Sequence, residues 1–548
     1  MNYMLKKRII RVAIINLVVV VSEFIIIFSV YSLIFTYSAV IFAVLGDYLK
    51  DSRSIWALGV AIIFGFLIIR HFLPAPILDT FNTWAGYKKT VSKEKYLKFF
   101  SKYQYEKIEP DFKPLVKNFL PVFIGLVLLC IFSSLAVNFI TGRIIFRKTE
   151  VMKRNGYPTG FSDFYRNIPE EQNAAKPIDN VSMLASIKLK TFFEDNLNYE
   201  RKLDALLIDE KWDAAKKKQA EIILSTCSYI FNEAESILEK YKYYQYADYK
   251  KMEMYPFETK HARLVFPLQQ IFLLRAKFHL KKGNNNLFWK DIKNNLKLYS
   301  LVQQEKDLFA KMASLGIISK TVEFIEDSMS KKSDLTCPKN IMDELLEIRK
   351  ENSAFEGLKF AMVCEIEEIK YFAACGGMKK ARFVKIFFVP TGIQNLNLVA
   401  CMNYETKLLS LHSLSPQTIK KEGQILDDKL KKLPFYPFIL WSIIPTRMDS
   451  FYLMEAGIDT KMQILAVATA IRKYKMQNKK YPQKLSELVP KFLTSDLVID
   501  QFSEKELVYK LTKNGFLLYS VGRNFEDDNR SFTFKYYKPN NDIGVEMN

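Results

Sequence analysis

Residues 262–304 read ARLVFPLQQIFLLRAKFHLKK, then GNNN, then LFWKDIKNNLKLYSLVQQ. In the first segment Leu264, Leu268, Ile271, Phe272, Leu274 and Phe278 recur at helical spacing. In the second, Phe288, Ile292, Leu296, Tyr299 and Val302 do the same. Gly283-Asn284-Asn285-Asn286 between them is a short polar turn. A further helix is expected over Leu308–Met329 with little gap. Two amphipathic helices joined by a tight turn are the unit of helical repeat proteins. There is no strict self-similarity at a period of about 34 residues, so the pattern is repeat-like rather than a true array.

The helical pattern runs upstream through Leu203–Ile208 and a long helix expected from Asp213 to about Tyr243. Tyr241, Tyr243, Tyr244, Tyr246, Tyr249 and Tyr255 then alternate with Lys242, Lys250 and Lys251. Such a cluster could stack on sugars or bases. The favoured reading is a half-buried helix end with snorkelling lysines. Downstream, Leu433–Pro445 is apolar but too short to span a bilayer, and reads as a buried loop or helix start.

The pattern changes from Thr460. Met462, Leu465, Ala468 and Ile471 mark an amphipathic helix ending near Gln477. A short helix between Pro482 and Pro490 follows. Leu507–Leu511 and Phe516–Ser520 read as strands around the turn Lys513-Asn514-Gly515, with a third strand expected over Thr533–Tyr537.

The N-terminal quarter is different again. Three apolar runs fit a bilayer: 12–45, 55–73 and 119–140. The first carries Glu23, read as a helix–helix hydrogen bond or an interfacial position rather than a proton relay. Lys6, Lys7, Arg8 and Arg11 precede the first run, and nine Lys lie in 74–117. With three spans, both regions fall in the cytoplasm and the large remainder lies outside. Arg143, Arg147, Lys148, Lys153 and Arg154 after the third run oppose that orientation; splitting the first run into two spans is the rival. Tyr87–Ile108 interleaves lysines with apolar residues, as an interfacial helix or an ordinary packed one.

Fold class is therefore mostly α: N-terminal transmembrane helices, a helical-hairpin soluble domain and a small C-terminal α+β module. The expected domains are 1–148 (membrane), 149–458 (helical) and 459–548 (α+β).

The composition agrees. The chain has 548 residues, 49% hydrophobic and 25% charged, which excludes a disordered or collagen-like chain. Six cysteines exclude a disulfide scaffold. The net charge is +21, and 19 Lys/Arg against 8 Asp/Glu lie in residues 1–148, beside the apolar runs. That placement points to a lipid bilayer as partner and away from nucleic acid.

Two resemblances rest on quoted segments. AIRKYKMQNKKYPQKLSELVP (470–490), then Asp500 and Phe502, then LVYKL, GFLLYSVG and Asp527-Asp528, resembles the C-terminal part of the type II secretion major pseudopilin. That family pairs a helix and a Tyr-Pro corner with a small sheet and an acidic calcium loop. The helix here does not continue an N-terminal transmembrane helix, and no prepilin cleavage motif is present. More widely, EVMKRNGYPTGFSDFYRNIPEEQNAA (150–175), LLRAKFHLKKG (273–283) and the Tyr-Ser-Val-Gly ending resemble an uncharacterised family of bacterial membrane-anchored exported proteins, over roughly 145–535. This implies a membrane anchor and an extracytoplasmic location at the bacterial inner membrane, with no assigned reaction.

The residues offer little chemistry. His71, His261, His279 and His412 have no His or Cys at metal-ligand spacing. No HExxH, phosphate loop, dinucleotide fingerprint or nucleophile elbow occurs. The cysteines read as free thiols; Cys364 and Cys375 sit too far apart along one helix to bridge. Glu365, Glu367 and Glu368 form a carboxylate cluster, read as helical surface charge beside Lys370 rather than acid–base machinery. Asn524, Asp527 and Asp528 offer oxygen ligands suited to calcium, but read more simply as a solvated turn. No catalytic residue, cofactor or metal site is expected. The leading expectation is a non-enzymatic envelope scaffold with a protein partner. An envelope hydrolase or glycan-acting enzyme, and a subunit of a transporter or secretion-type assembly, are the alternatives.

Overall fold

The computed structural model describes residues 87–89, 105–107, 120–194, 199–209, 211–250, 252, 260–374, 393–431, 448–529 and 542–547. They are mostly helical, with a small three-stranded sheet near the C-terminus. The chain divides into two compact units, one of residues 1–151 with 369–401 and one of 152–368 with 402–548.

In the first unit, β1 (Tyr87–Lys89) pairs antiparallel with β2 (Tyr105–Lys107), Tyr87 opposite Lys107. The expected helix over 87–108 is thus replaced at its two described ends by short strands, where tyrosine suits a half-buried pleat. Helix α1, Leu120–Arg154, runs 35 residues without a break. At 1.5 Å per residue it is about 52 Å long. It carries the third apolar run, but its described side chains begin only at Leu135. Among the residues so described, no helix is long and apolar enough to cross a membrane. The runs 12–45 and 55–73, with Glu23, lie outside the described residues. Asn138 of α1 accepts a 3.2 Å hydrogen bond from Asn395.

The second unit opens with α2 (Ala175–Phe193) and α3 (Tyr199–Ile208). The long helix expected over 213–243 is two helices, α4 (Ala214–Thr226) and α5 (Ser228–Lys240). Ser225 and Thr226 both turn their hydroxyls back onto the Ile222 carbonyl, competing with the ladder just before the break at Cys227. The hairpin is as the sequence predicts: α6 (Lys260–Lys281) and α7 (Asn285–Val302). Gly283 takes φ +78° and the Asn284 side chain accepts from the Leu287 N–H, which together stop one helix and start the next. Val265, Leu268, Ile271, Phe272 and Leu274 of α6 are fully buried against α2, α7 and α8 (Leu308–Lys331).

Next come α9 (Lys339–Ile348), α10 (Ser353–Ala374), α11 (Ile393–Leu409) and α12 (Pro416–Lys431). Helix α13 spans Asp449–Asn478 and begins well before the expected start near Thr460. It is buried on nearly every side from Asp449 to Arg472, as a central helix must be. It packs on α8, α9 and α12 and on the sheet. The sheet orders β3 (Val508–Leu511), β4 (Phe516–Ser520) and β5 (Ile543–Met547), with β4 wholly buried in the middle. All pairs are antiparallel, Val508 opposite Tyr519 and Ser520 opposite Ile543. The expected strand at 533–537 and the stretch 433–445 lie outside the described residues.

Candidate functional site: a buried carboxyl cluster

Charged groups are scarce in protein interiors unless something holds them. Several of those buried here hold helix ends. Lys277 donates to the carbonyls of Leu206 (3.1 Å) and Leu207 (2.7 Å) at the end of α3, and to that of Asp209 (2.5 Å). Burial lowers its ammonium to about 8. Lys311 donates to the Gln303 carbonyl at the end of α7. Arg472 of α13 donates to Met329 (2.5 Å) and Leu335 (2.9 Å), closing the end of α8. These cations sit where carbonyls are unpaired and the helix dipole is negative. Glu455 of α13 accepts from the Ala354 N–H at the start of α10, the opposite pole. Glu305 accepts from the backbone N–H groups of Tyr246 and Lys306 and from the Tyr249 hydroxyl.

A second group of buried polar side chains caps nothing. Glu365 comes from α10, Tyr404 and Glu405 from α11, Asp427 from α12 and Tyr452 from α13. All five are 5% exposed or less. Tyr404 donates to Asp427 at 2.9 Å. Among the described residues, Glu405 in its ionised form has no donor for either oxygen, and the Tyr452 hydroxyl has no hydrogen-bond partner. The carboxyl facing Glu405 is that of Glu365. Two ionised carboxylates in so dry a place repel each other, which favours the neutral form. Burial holds the Glu405 carboxyl well above the usual carboxylate range. Desolvation, and after it the field of Glu405, push the Tyr452 phenol upward too.

Two acids sharing a proton is an arrangement acid–base catalysis uses. Both carboxyls are 5% exposed or less. The pair links α10 to α11 inside the core.

The sequence had placed Glu365 on the surface with Glu367 and Glu368. Only the latter two are partly exposed. Glu365 is core, because it falls on the stripe Leu358, Met362, Ile369. Glu405 was missed altogether, although it falls on the buried stripe Leu398, Met402, Leu409. An acid at a core position of a helical period is the signal that would have found both.

The remaining candidates are accounted for locally. Asn524 donates to Asp528 at 2.7 Å, and Asp527 accepts from Tyr519 (3.2 Å) and from the Asn529 N–H (2.9 Å). Among the described residues no three His, Cys, Asp or Glu side chains could hold a metal ion together. His412 stacks on Phe355 at 4.2 Å, and His279 lies 3.8 Å from Asp291. Cys227, Cys337 and Cys364 are free thiols; Cys375 lies outside the described residues. In the tyrosine cluster Tyr244 and Tyr249 are 1% exposed anchors, bonded to Asp179 and Glu305. Tyr246 is half exposed.

Compared with protein-family models, curated proteins and solved structures, the chain matches none.

Proposed function

We propose that the chain is a membrane-anchored protein whose large helical unit serves as a non-enzymatic scaffold for a protein partner in the bacterial cell envelope. The observation that carries this reading is α1. One unbroken helix, Leu120–Arg154, takes in all but the first residue of the apolar run 119–140 and continues past it. Within the run it displays Leu135 (59% exposed) and Phe139 (64%), and just past it Phe146 (67%). So much apolar surface in water is unfavourable, and a bilayer, with hydrocarbon about 30 Å deep and a headgroup layer at its edge, would cover it. About 52 Å of helix exceeds that depth, leaving its C-terminal turns to lead into the second unit. Lys277, Lys311, Glu455 and Arg472 favour a structural role for that unit, since each holds a helix end. On this reading the N-terminus is cytoplasmic, the large unit extracytoplasmic and the membrane the inner one. A long helix followed by a three-stranded sheet is also compatible with the pseudopilin-like resemblance of the C-terminal segment.

Membranes from cells making the full chain, washed with alkaline carbonate, test the anchor. The chain is expected in the pellet, and recovery in the wash would overturn the reading. Sidedness follows from Asn155→Cys and from a cysteine appended after Asn548, each on a background without the native cysteines. Labelling of both in intact cells by an impermeant reagent is expected. Protection until lysis would place the large unit in the cytoplasm. Cross-linking in intact cells is then expected to trap a specific envelope protein, and a blank result would remove the scaffold role.

A further inference from the structure

We propose that Arg143 and Arg147 of α1 form a binding pair for the phosphate groups of anionic phospholipid; this rests on the membrane reading above. At 100° per residue, Phe139, Arg143, Phe146 and Arg147 fall within an arc of about 100° on one side of the helix. All four are exposed. The Arg143 guanidinium lies 5.0 Å over the Phe139 ring, so cation and ring form one mixed surface.

The axial distances fit a bilayer edge. Arg143 and Arg147 are one turn apart, about 6 Å along the axis. The headgroup layer on each side of the hydrocarbon is about 6 Å thick. With the pair in that layer, Phe139 lies about 6 Å deeper, at the acyl boundary, and Phe146 lies level with the headgroups, where aromatic rings settle. Arg154 lies about 10 Å beyond Arg147 and so outside the layer. Lys148 and Lys153 already have interactions within the protein. Guanidinium is the suitable cation, since its planar fork meets two phosphate oxygens at once. Two of the five positive charges that follow the third apolar run, awkward for an outward-facing segment, thereby gain a ligand in the lipid itself.

The test uses the full chain in nanodiscs of equal phosphatidylcholine and phosphatidylglycerol. After mild detergent release, the lipid that remains bound is measured by native mass spectrometry. The wild type is expected to retain phosphatidylglycerol in several-fold excess. Arg143→Gln with Arg147→Gln is expected to bring the two lipids to parity, and Arg154→Gln to keep the excess. Parity in the wild type, or an excess that survives the double substitution, overturns the proposal. Equal loss with Arg154→Gln also overturns it, because diffuse charge would then suffice. Displacement of the lipid by inorganic phosphate alone would overturn the assignment to lipid. Release of the chain by carbonate defeats the membrane reading itself, whereas a carbonate-resistant chain at parity defeats only the arginine pair.

Discussion

Glu455 accepts a hydrogen bond from the Ala354 N–H at 2.9 Å, so a carboxyl on α13 caps the first turn of α10, 101 residues earlier in the chain. Burial pushes that carboxyl up to about 7, so it spends much of its time protonated near neutrality. A neutral acceptor should therefore serve nearly as well. Glu455→Gln is expected to leave the urea midpoint close to wild type. Glu455→Ala strips the cap and should cost about 1–2 kcal/mol. Equal midpoints for the Ala variant and the wild type would show that the cap contributes nothing.

Arg472 closes the other pole of a helix. Its guanidinium reaches the carbonyls of Met329 and Leu335 from α13, joining the end of α8 to the central helix. Arg472→Met keeps much of the volume and leaves those carbonyls without a donor. A loss of about 2–3 kcal/mol in unfolding free energy is expected. Arg472→Lys has the charge without the fork and should fall between. If the Lys variant matched wild type, charge alone would explain the site.

These two contacts mark where the sequence stopped being legible. The α6–α7 hairpin could be read because its apolar period is clean and Gly283 and Asn284 punctuate it. The break at Cys227 could not, since the apolar spacing carries on through it and only Ser225 and Thr226 hint at competition. The first half of α13 was missed because Glu455, Gly457 and Asp459 interrupt its apolar pattern. Glu455 is buried for a tertiary reason, to cap a helix far away in sequence. The Glu365–Glu405 pair was hidden in the same way. Neither residue announces burial alone; each declares itself only as an acid on an apolar stripe.

Buried acids also set how stability should respond to pH. Burial pushes the Glu326 carboxyl up to about 8, with the Lys461 charge pulling weakly the other way. Among the described residues one of its oxygens has no hydrogen-bond partner. Its ordinary value is 4.5. Between those values the folded chain binds a proton that the unfolded chain has released. Stability is therefore full below about pH 4.5 and is lost as pH rises towards 8, by at most about 1.4 kcal/mol per pH unit for this group. Glu405 and Glu455 act in the same direction. Unfolding free energy is expected to fall from pH 5 to pH 8.5, and Glu326→Gln to flatten the slope. An unchanged slope in that variant would mean that Glu326 titrates normally.

The free thiols should be silent in the native state. Burial pushes Cys227 up to about 11 and Cys337 up to about 12. Both are at most 2% exposed, so thiolate and access are lacking together. Maleimide at pH 7.5 is expected to leave both unmodified until urea is added, as read by peptide mass spectrometry. Prompt native labelling of Cys227 would mean that the α4–α5 corner opens readily.

Gly423 of α12 sits against Asp449 at the first turn of α13. A methyl group at position 423 would meet the Asp449 Cβ at 2.5 Å and its Cγ at 2.6 Å. Neither atom is the loose end of a flexible chain, so the two helices would have to separate. Gly423→Ala should raise intrinsic helix propensity in α12, yet overpacking is expected to win, at a net cost of about 1–3 kcal/mol. Gly156→Ala gives the contrast. Nothing lies within 4 Å of that position, and the strain would come only from φ +72°. The two mechanisms separate with a second substitution. Asp449→Gly in the Gly423→Ala background removes the opposing Cβ and should restore part of the loss, less about 1 kcal/mol for a glycine in a helix. No restoration in the double variant would mean that the cost at position 423 is not set by contact with Asp449.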